Sequence, residues 1–109
     1  MKNISDMSIL ITGGGSGIGE GTASYFVKHG AKVTICGRNK DKLENVSKKL
    51  GKSCHAVKCD ITKNDERINL IEEAINHGQK LNALINNAGN MLRGPITDLN
   101  EDKLLDLFH

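Results

Sequence analysis

Charge of one sign, aromatic side chains, proline and long apolar runs are all scarce in this chain. The formal net charge is only +2. That excess is too small to argue for nucleic acid or an anionic membrane as a partner, and the lysines are scattered along the expected helices rather than gathered on one stripe. No apolar run approaches the length needed to span a bilayer, and residues 1–7, ahead of the first expected strand, hold no apolar core of a secretory signal. Cysteine occurs at an odd count of three: Cys36, Cys54 and Cys59. Neither a second cysteine pair nor a suitably spaced histidine joins Cys54 and Cys59 to make a metal site. The expectation is reduced thiols filling strand positions in a cytoplasmic protein, with no metal. Only Tyr25, Phe26 and Phe108 are aromatic, and Pro95 is the single proline. No low-complexity linker or internal repeat divides the 109 residues, so one domain is expected, spanning residues 1–109, with no room for a separate substrate domain.

What the chain does have is glycine, with Gly13, Gly14, Gly15, Gly17, Gly19 and Gly21 crowded together. Around them, short β-rich runs alternate with helical patterns. Residues 8–12 are a continuous apolar run of the kind that forms a strand buried on both faces. Ile18, Thr22, Tyr25, Phe26 and His29 then recur at helical spacing, with Gly30 placed as a C-terminal stop. On that pattern Tyr25 is expected in the core. Residues 32–36 predict a second strand, and 41–50 a helix whose inner face is Leu43, Val46 and Leu50. Residues 53–59 predict a third strand. Asn64 or Asp65 can cap the next helix, with Ile68, Ile71 and Ile75 as its buried stripe. Residues 81–85 predict a fourth strand, and an apolar helix begins near Leu99. Strands alternating with helices read as βαβ units and a parallel α/β sheet.

The glycines fall between the first strand and the first helix, which is the context that gives such a motif meaning. Glycine permits the tight turn and lets a pyrophosphate approach the main chain closely. The N–H groups and dipole of the helix start favour the phosphate charge, and Ser16 adds a hydroxyl. A Walker-type loop is excluded, because Ile18 and Gly19 stand where lysine and Ser/Thr would be needed. The frame that fits without adjustment is T-G-x-x-x-G-I-G, from Thr12 through Gly13, Gly17, Ile18 and Gly19.

That frame, followed by Asp60-Ile61 after the third strand and Asn86-Asn87-Ala88-Gly89 after the fourth, resembles the short-chain dehydrogenase/reductase family. The resemblance implies a Rossmann-type doubly wound parallel sheet, of which this chain holds about four of seven strands in the order 3-2-1-4. It implies a dinucleotide site built from Gly13, Gly15, Ser16, Gly17, Ile18 and Gly19. In the family, an acidic residue at the end of the second strand holds the ribose hydroxyls of NAD. Here Gly37 stands at that place and Arg38 follows, and a guanidinium can fork onto a 2′-phosphate. The implied cofactor is therefore NADP rather than NAD, with Arg38 and Asn39 at the phosphate; the plainer reading of Arg38 is an exposed loop arginine. Asp60 resembles the aspartate that meets the adenine amino group, with Ile61 as an apolar wall, or it simply closes the strand as an Asx turn. Asn87 would steady the central sheet while the ribose lies against Ala88 and Gly89.

The family's catalytic serine and Tyr-x-x-x-Lys pair match nothing in this chain, since Tyr25 is followed four residues later by His29. None of the four histidines is read as catalytic. Two classes of function are expected. One is the cofactor-binding half of an NADP-dependent oxidoreductase, cut short after the fourth strand and the start of the next helix. Its carbonyl or alcohol substrate would be met only in a full-length form. The other is a non-catalytic dinucleotide-binding or interaction module. A strand-four edge without a neighbour, together with the apolar terminal helix, leads to an expectation of homo-oligomers.

Overall fold

The computed structural model describes residues 3–87. Four parallel strands, β1 (Ser8–Thr12), β2 (Lys32–Gly37), β3 (Cys54–Lys58) and β4 (Ala83–Asn86), form one sheet in the order β3-β2-β1-β4. The connecting helices are α1 (Gly17–Lys28), α2 (Lys40–Leu50) and α3 (Asn64–Gly78). The register runs Ile9 opposite Val33 and Ala83, and Ile11 opposite Ile35 and Ile85. This is a partial Rossmann-type α/β fold. After β1 the chain moves to one side through β2 and β3, then returns to place β4 on the other side. The C-terminal ends of β1 and β4 thus flank the point where strand order reverses, which is where open α/β sheets leave a crevice.

Every residue of β1 is buried because both faces of the sheet are covered. Leu10 points into a core with Cys36, Val57, Leu70, Ile71 and Leu84, beneath α3. Ile9 and Ile11 point the opposite way, into a core with Ala23, Val33, Ile35, Leu43 and Val46, beneath α1 and α2. Strand side chains alternate between faces, so Cys54 belongs to the α1–α2 core and Cys59 to the α3 core. The two cysteines are thereby kept on opposite faces of the sheet. All three thiols are free and buried. Burial pushes the Cys36 thiol up to about 12 and those of Cys54 and Cys59 to about 11.

Three expectations about helix faces need correction. In α1 the buried residues are Gly19 and Ala23, whereas Ile18 is 78% and Tyr25 53% exposed. The small side chains let the helix backbone settle close on the sheet, and this turns the larger ones outward. Tyr25 lies instead along the helix surface against His29, ring centroids 4.5 Å apart. In α3 the inner face is Arg67, Leu70, Ile71 and Ala74; Ile68 is only partly buried and Ile75 is exposed. The N-cap of α3 is Lys63, with no side-chain cap bond. Asn64 is the first helical residue, and its side-chain oxygen accepts from Arg67. Element ends otherwise fall close to expectation. Helix α2 starts one residue earlier than 41, because the Asn39 side chain accepts the Lys42 N–H at 3.1 Å and makes Asn39 the cap. The expected helix near Leu99 lies outside the described residues.

Candidate functional site

The turn after β1 is built by contacts that leave no space for side chains. Gly13 adopts φ +68°, and a Cβ there would approach the Asn87 Cβ at 3.2 Å. A Cβ on Gly14 would run into the Ile35 side chain, and one on Gly19 into the Gly13 carbonyl oxygen. The start of α1 is therefore pressed against the end of β1. By contrast, a Cβ on Gly17 would meet nothing within 4 Å. The Ser16 hydroxyl caps the helix, accepting the Gly19 N–H at 3.1 Å and donating to the Gly13 carbonyl at 2.8 Å. First-turn N–H groups such as those of Gly17 and Ile18 have no acceptor within a helix, so they present partial positive charge outward.

A second set of bonds ties this turn to β4. The Thr12 hydroxyl donates to the Asn86 side-chain oxygen at 2.9 Å and accepts the Asn87 N–H at 3.1 Å. The Asn87 side-chain amide reaches the Gly13 carbonyl at 3.5 Å. Asn87 thus braces the turn. Ala88 and Gly89 lie outside the described residues.

Beside the turn, a cleft of about 460 Å³ opens over the ends of β1 and β2. Gly13, Gly15 and Ser16 of the turn line it together with Arg38, Asn39 and Lys42, and a Cβ on Gly15 would lie 3.3 Å from the Lys42 Cβ. Its floor and far wall are apolar, supplied by Cys36, Leu43, Cys59 and Ile61. Gly17 and Ile18 face a separate groove on the other side of the helix start, lined also by Tyr25 and Ile85. Asp60 stands beside the cleft, where Arg38 reaches its Oδ1 at 3.4 Å. The same oxygen accepts the Thr62 hydroxyl at 2.7 Å and the Thr62 N–H at 3.0 Å. These Thr62 bonds, more than the Arg38 charge, hold the Asp60 carboxyl below its ordinary value. Asp60 therefore does close the strand as an Asx turn, while also meeting Arg38. Arg38 itself is exposed, its side chain 73% accessible.

The structure brings Gly13, Gly15, Ser16, Arg38, Asn39 and Ile61 together around one cleft. Gly19 and Asn87 lie just behind the turn and shape it. Sequence reasoning missed Lys42, whose place three residues after a capping Asn was a usable signal. It also missed the packing role of Gly14, which only the proximity of Ile35 reveals.

Comparison with known proteins decides the family. The short chain dehydrogenase family model matches residues 7–109. The chain belongs to that family. An uncharacterized oxidoreductase of Staphylococcus aureus is 43% identical over 104 residues, covering 94% of this chain and 45% of the relative. One from Staphylococcus saprophyticus is 42% identical over 92 residues, covering 84% and 37%. This family member thus spans less than half the length of the curated relatives it matches. Among solved structures, a 3-ketoacyl-(acyl-carrier-protein) reductase from Brucella melitensis, complexed with NADH, superposes with a TM-score of 0.72. It is 40% identical, covering 74% of this chain and 34% of its own. A short chain dehydrogenase from Bacillus anthracis gives 0.75 at 34% identity, covering 82% and 37%. Among the described residues, no helix is long and apolar enough to cross a membrane.

Proposed function

We propose that this chain binds NADP and forms the cofactor-binding half of an oxidoreductase acting between a carbonyl and an alcohol. The observation that carries the reading is the pairing of two features in one cleft. A glycine turn at a helix start and the side chains of Arg38, Asn39 and Lys42 line the same space, with Gly37 where a ribose-binding carboxylate would repel a 2′-phosphate. Gly13, Gly15, Ser16, Gly17, Ile18 and Gly19 would hold the pyrophosphate, with Arg38 and Asn39 at the 2′-phosphate. Asp60 and Ile61 would meet the adenine, and Asn87, Ala88 and Gly89 the ribose. The open space at Gly17 and the outward N–H groups of the first helical turn suit an anion. The bound nicotinamide would accept or donate a hydride; the residues named here bind and orient it.

Calorimetric titration with NADPH and NADH tests the reading. The wild-type chain is expected to favour NADPH, and Arg38→Asp to lose that preference by tenfold or more, since one charge-assisted pair contributes about 1.5–3 kcal/mol. Retained preference in Arg38→Asp would overturn the role of Arg38. The relative's NADH complex makes NADH the comparison that matters. A dinucleotide-binding module without chemistry is the second reading; neither reading gives this chain turnover of aldehydes or ketones, and a reading frame that continues past codon 109 into a serine and Tyr-x-x-x-Lys would favour the first, a stop codon the second.

Two further expectations belong to this reading. Three buried, unpaired thiols suit a reducing compartment, which supports a cytoplasmic location. Strand β4 forms one edge of the sheet among the described residues, and an edge invites pairing with another copy. Self-association is expected in sedimentation, with the larger species favoured as concentration rises; a monomer at all concentrations would remove this expectation.

A further inference from the structure

We infer that Arg67 is a positioning residue for the adenine end of the cleft, holding the 60–63 loop in the shape a bound cofactor would meet. The inference rests on the dinucleotide reading above and goes beyond it to a residue outside the cleft wall. Arg67 is only 7% exposed and lies on the inner face of α3. Its Nη1 donates to the Ile61 carbonyl at 2.6 Å, and its Nη2 to the Asn64 side-chain oxygen at 3.1 Å. Both partners are neutral, and Nε is buried without a partner among the described residues. A guanidinium in that setting gives up its water for two bonds and no opposite charge, so an aliphatic side chain of similar bulk should serve stability as well or better. What an aliphatic residue cannot supply is the anchor on the Ile61 carbonyl.

The preceding residue completes the grip. Glu66 accepts the Asp60 N–H at 3.1 Å through its carboxylate and the Cys59 thiol at 3.5 Å through its carbonyl. One turn of α3 therefore fixes three successive residues, Cys59, Asp60 and Ile61. Cys59 and Ile61 line the cleft, and Asp60 meets Arg38 at its edge. Without the Arg67 anchor, the Ile61 wall would have to be ordered when ligand arrives, and that ordering would be subtracted from affinity.

The test uses the full 109-residue chain and 2′,5′-ADP as probe, with affinity read by calorimetry. Arg67→Leu is expected to bind about tenfold more weakly, about 1.4 kcal/mol. Its thermal midpoint should stay at or above that of the wild type. Amide exchange at Thr62 and Lys63, whose N–H groups are bonded within the loop, should quicken while Leu10 and Ile35 stay protected. Wild-type affinity in a folded Arg67→Leu overturns the positioning role, and so does unaltered exchange in the loop. Should Arg67→Leu fail to fold, Asn64→Ala decides the matter. It removes the Nη2 acceptor at an exposed position, and about threefold weaker binding with an unchanged midpoint is expected; unchanged binding rejects the role. Failure of the wild-type chain to bind either 2′,5′-ADP or NADPH would instead overturn the dinucleotide reading itself.

Discussion

Gly17 and Gly19 stand two residues apart on α1, and an added methyl group meets opposite fates at the two positions. At Gly19 it would strike the Gly13 carbonyl, a backbone atom that cannot swing aside, so alanine there should force the helix off the sheet. At Gly17 it would meet nothing in the protein. Gly17→Ala is therefore expected to leave the fold intact, or to stabilise it by roughly 0.5–1 kcal/mol through helix propensity. The same methyl would stand where a phosphate must approach the first-turn N–H groups, so NADPH affinity should fall at least tenfold. Gly21→Ala is the control, since Gly21 is also open but lies a turn further along; it should gain stability and keep affinity. Denaturant unfolding and NADPH titration on the two variants check both halves, and equal affinities would remove Gly17 from the phosphate site. At this scale the glycine frame was legible in the sequence. The distinction between glycines that packing demands and those left open was not, because it depends on which backbone comes near.

Among the elements, α2 does the most to shape the cleft rim. Its cap Asn39, the first-turn Lys42 that the cap bonds and the buried Leu43 all border the cleft. Removing the cap bond by Asn39→Ala should cost about 1 kcal/mol of stability, read as a lowered urea midpoint with unchanged slope. Helices α1 and α3 show where periodicity misleads. Counting apolar residues favoured Ile18 and Tyr25 in α1, but Gly19 and Ala23 make the contact, since close approach rewards small side chains. In α3, Arg67 is buried and Ile75 is exposed. The carbonyl and amide oxygens that satisfy Arg67 come from the adjoining loop and helix start, and no helical pattern predicts them. Strand β1 was more readable because burial on both faces imposes a plain apolar run.

At the scale of the whole molecule, the sheet separates two cores and places buried thiols in both. The folded thiols hold their protons to about 11 or 12, against an ordinary value of 9.0. A raised value means that the stabilisation is complete below pH 9 and is lost as pH rises through the folded values. Guanidinium unfolding should accordingly show stability declining above pH 9, and Cys54→Ala should flatten the decline. The native thiols should stay inert to a disulfide reagent at pH 8 and react on unfolding; rapid reaction of the native chain would contradict their burial.

The order of strands and helices, the place of the glycine turn and the family were all determined by local sequence. Each depends on residues close together along the chain: an apolar run, a crowd of glycines, a stop. The pressing of α1 onto β1 at Gly13 and Gly19, the bracing of the turn by Thr12 and Asn87, and the burial of Arg67 beneath Ile61 were decided by the tertiary structure. The second brings together atoms from distant parts of the chain, and the first and third depend on how a turn or loop folds back over its helix. Such contacts are set by three-dimensional approach, which side-chain type and spacing do not encode.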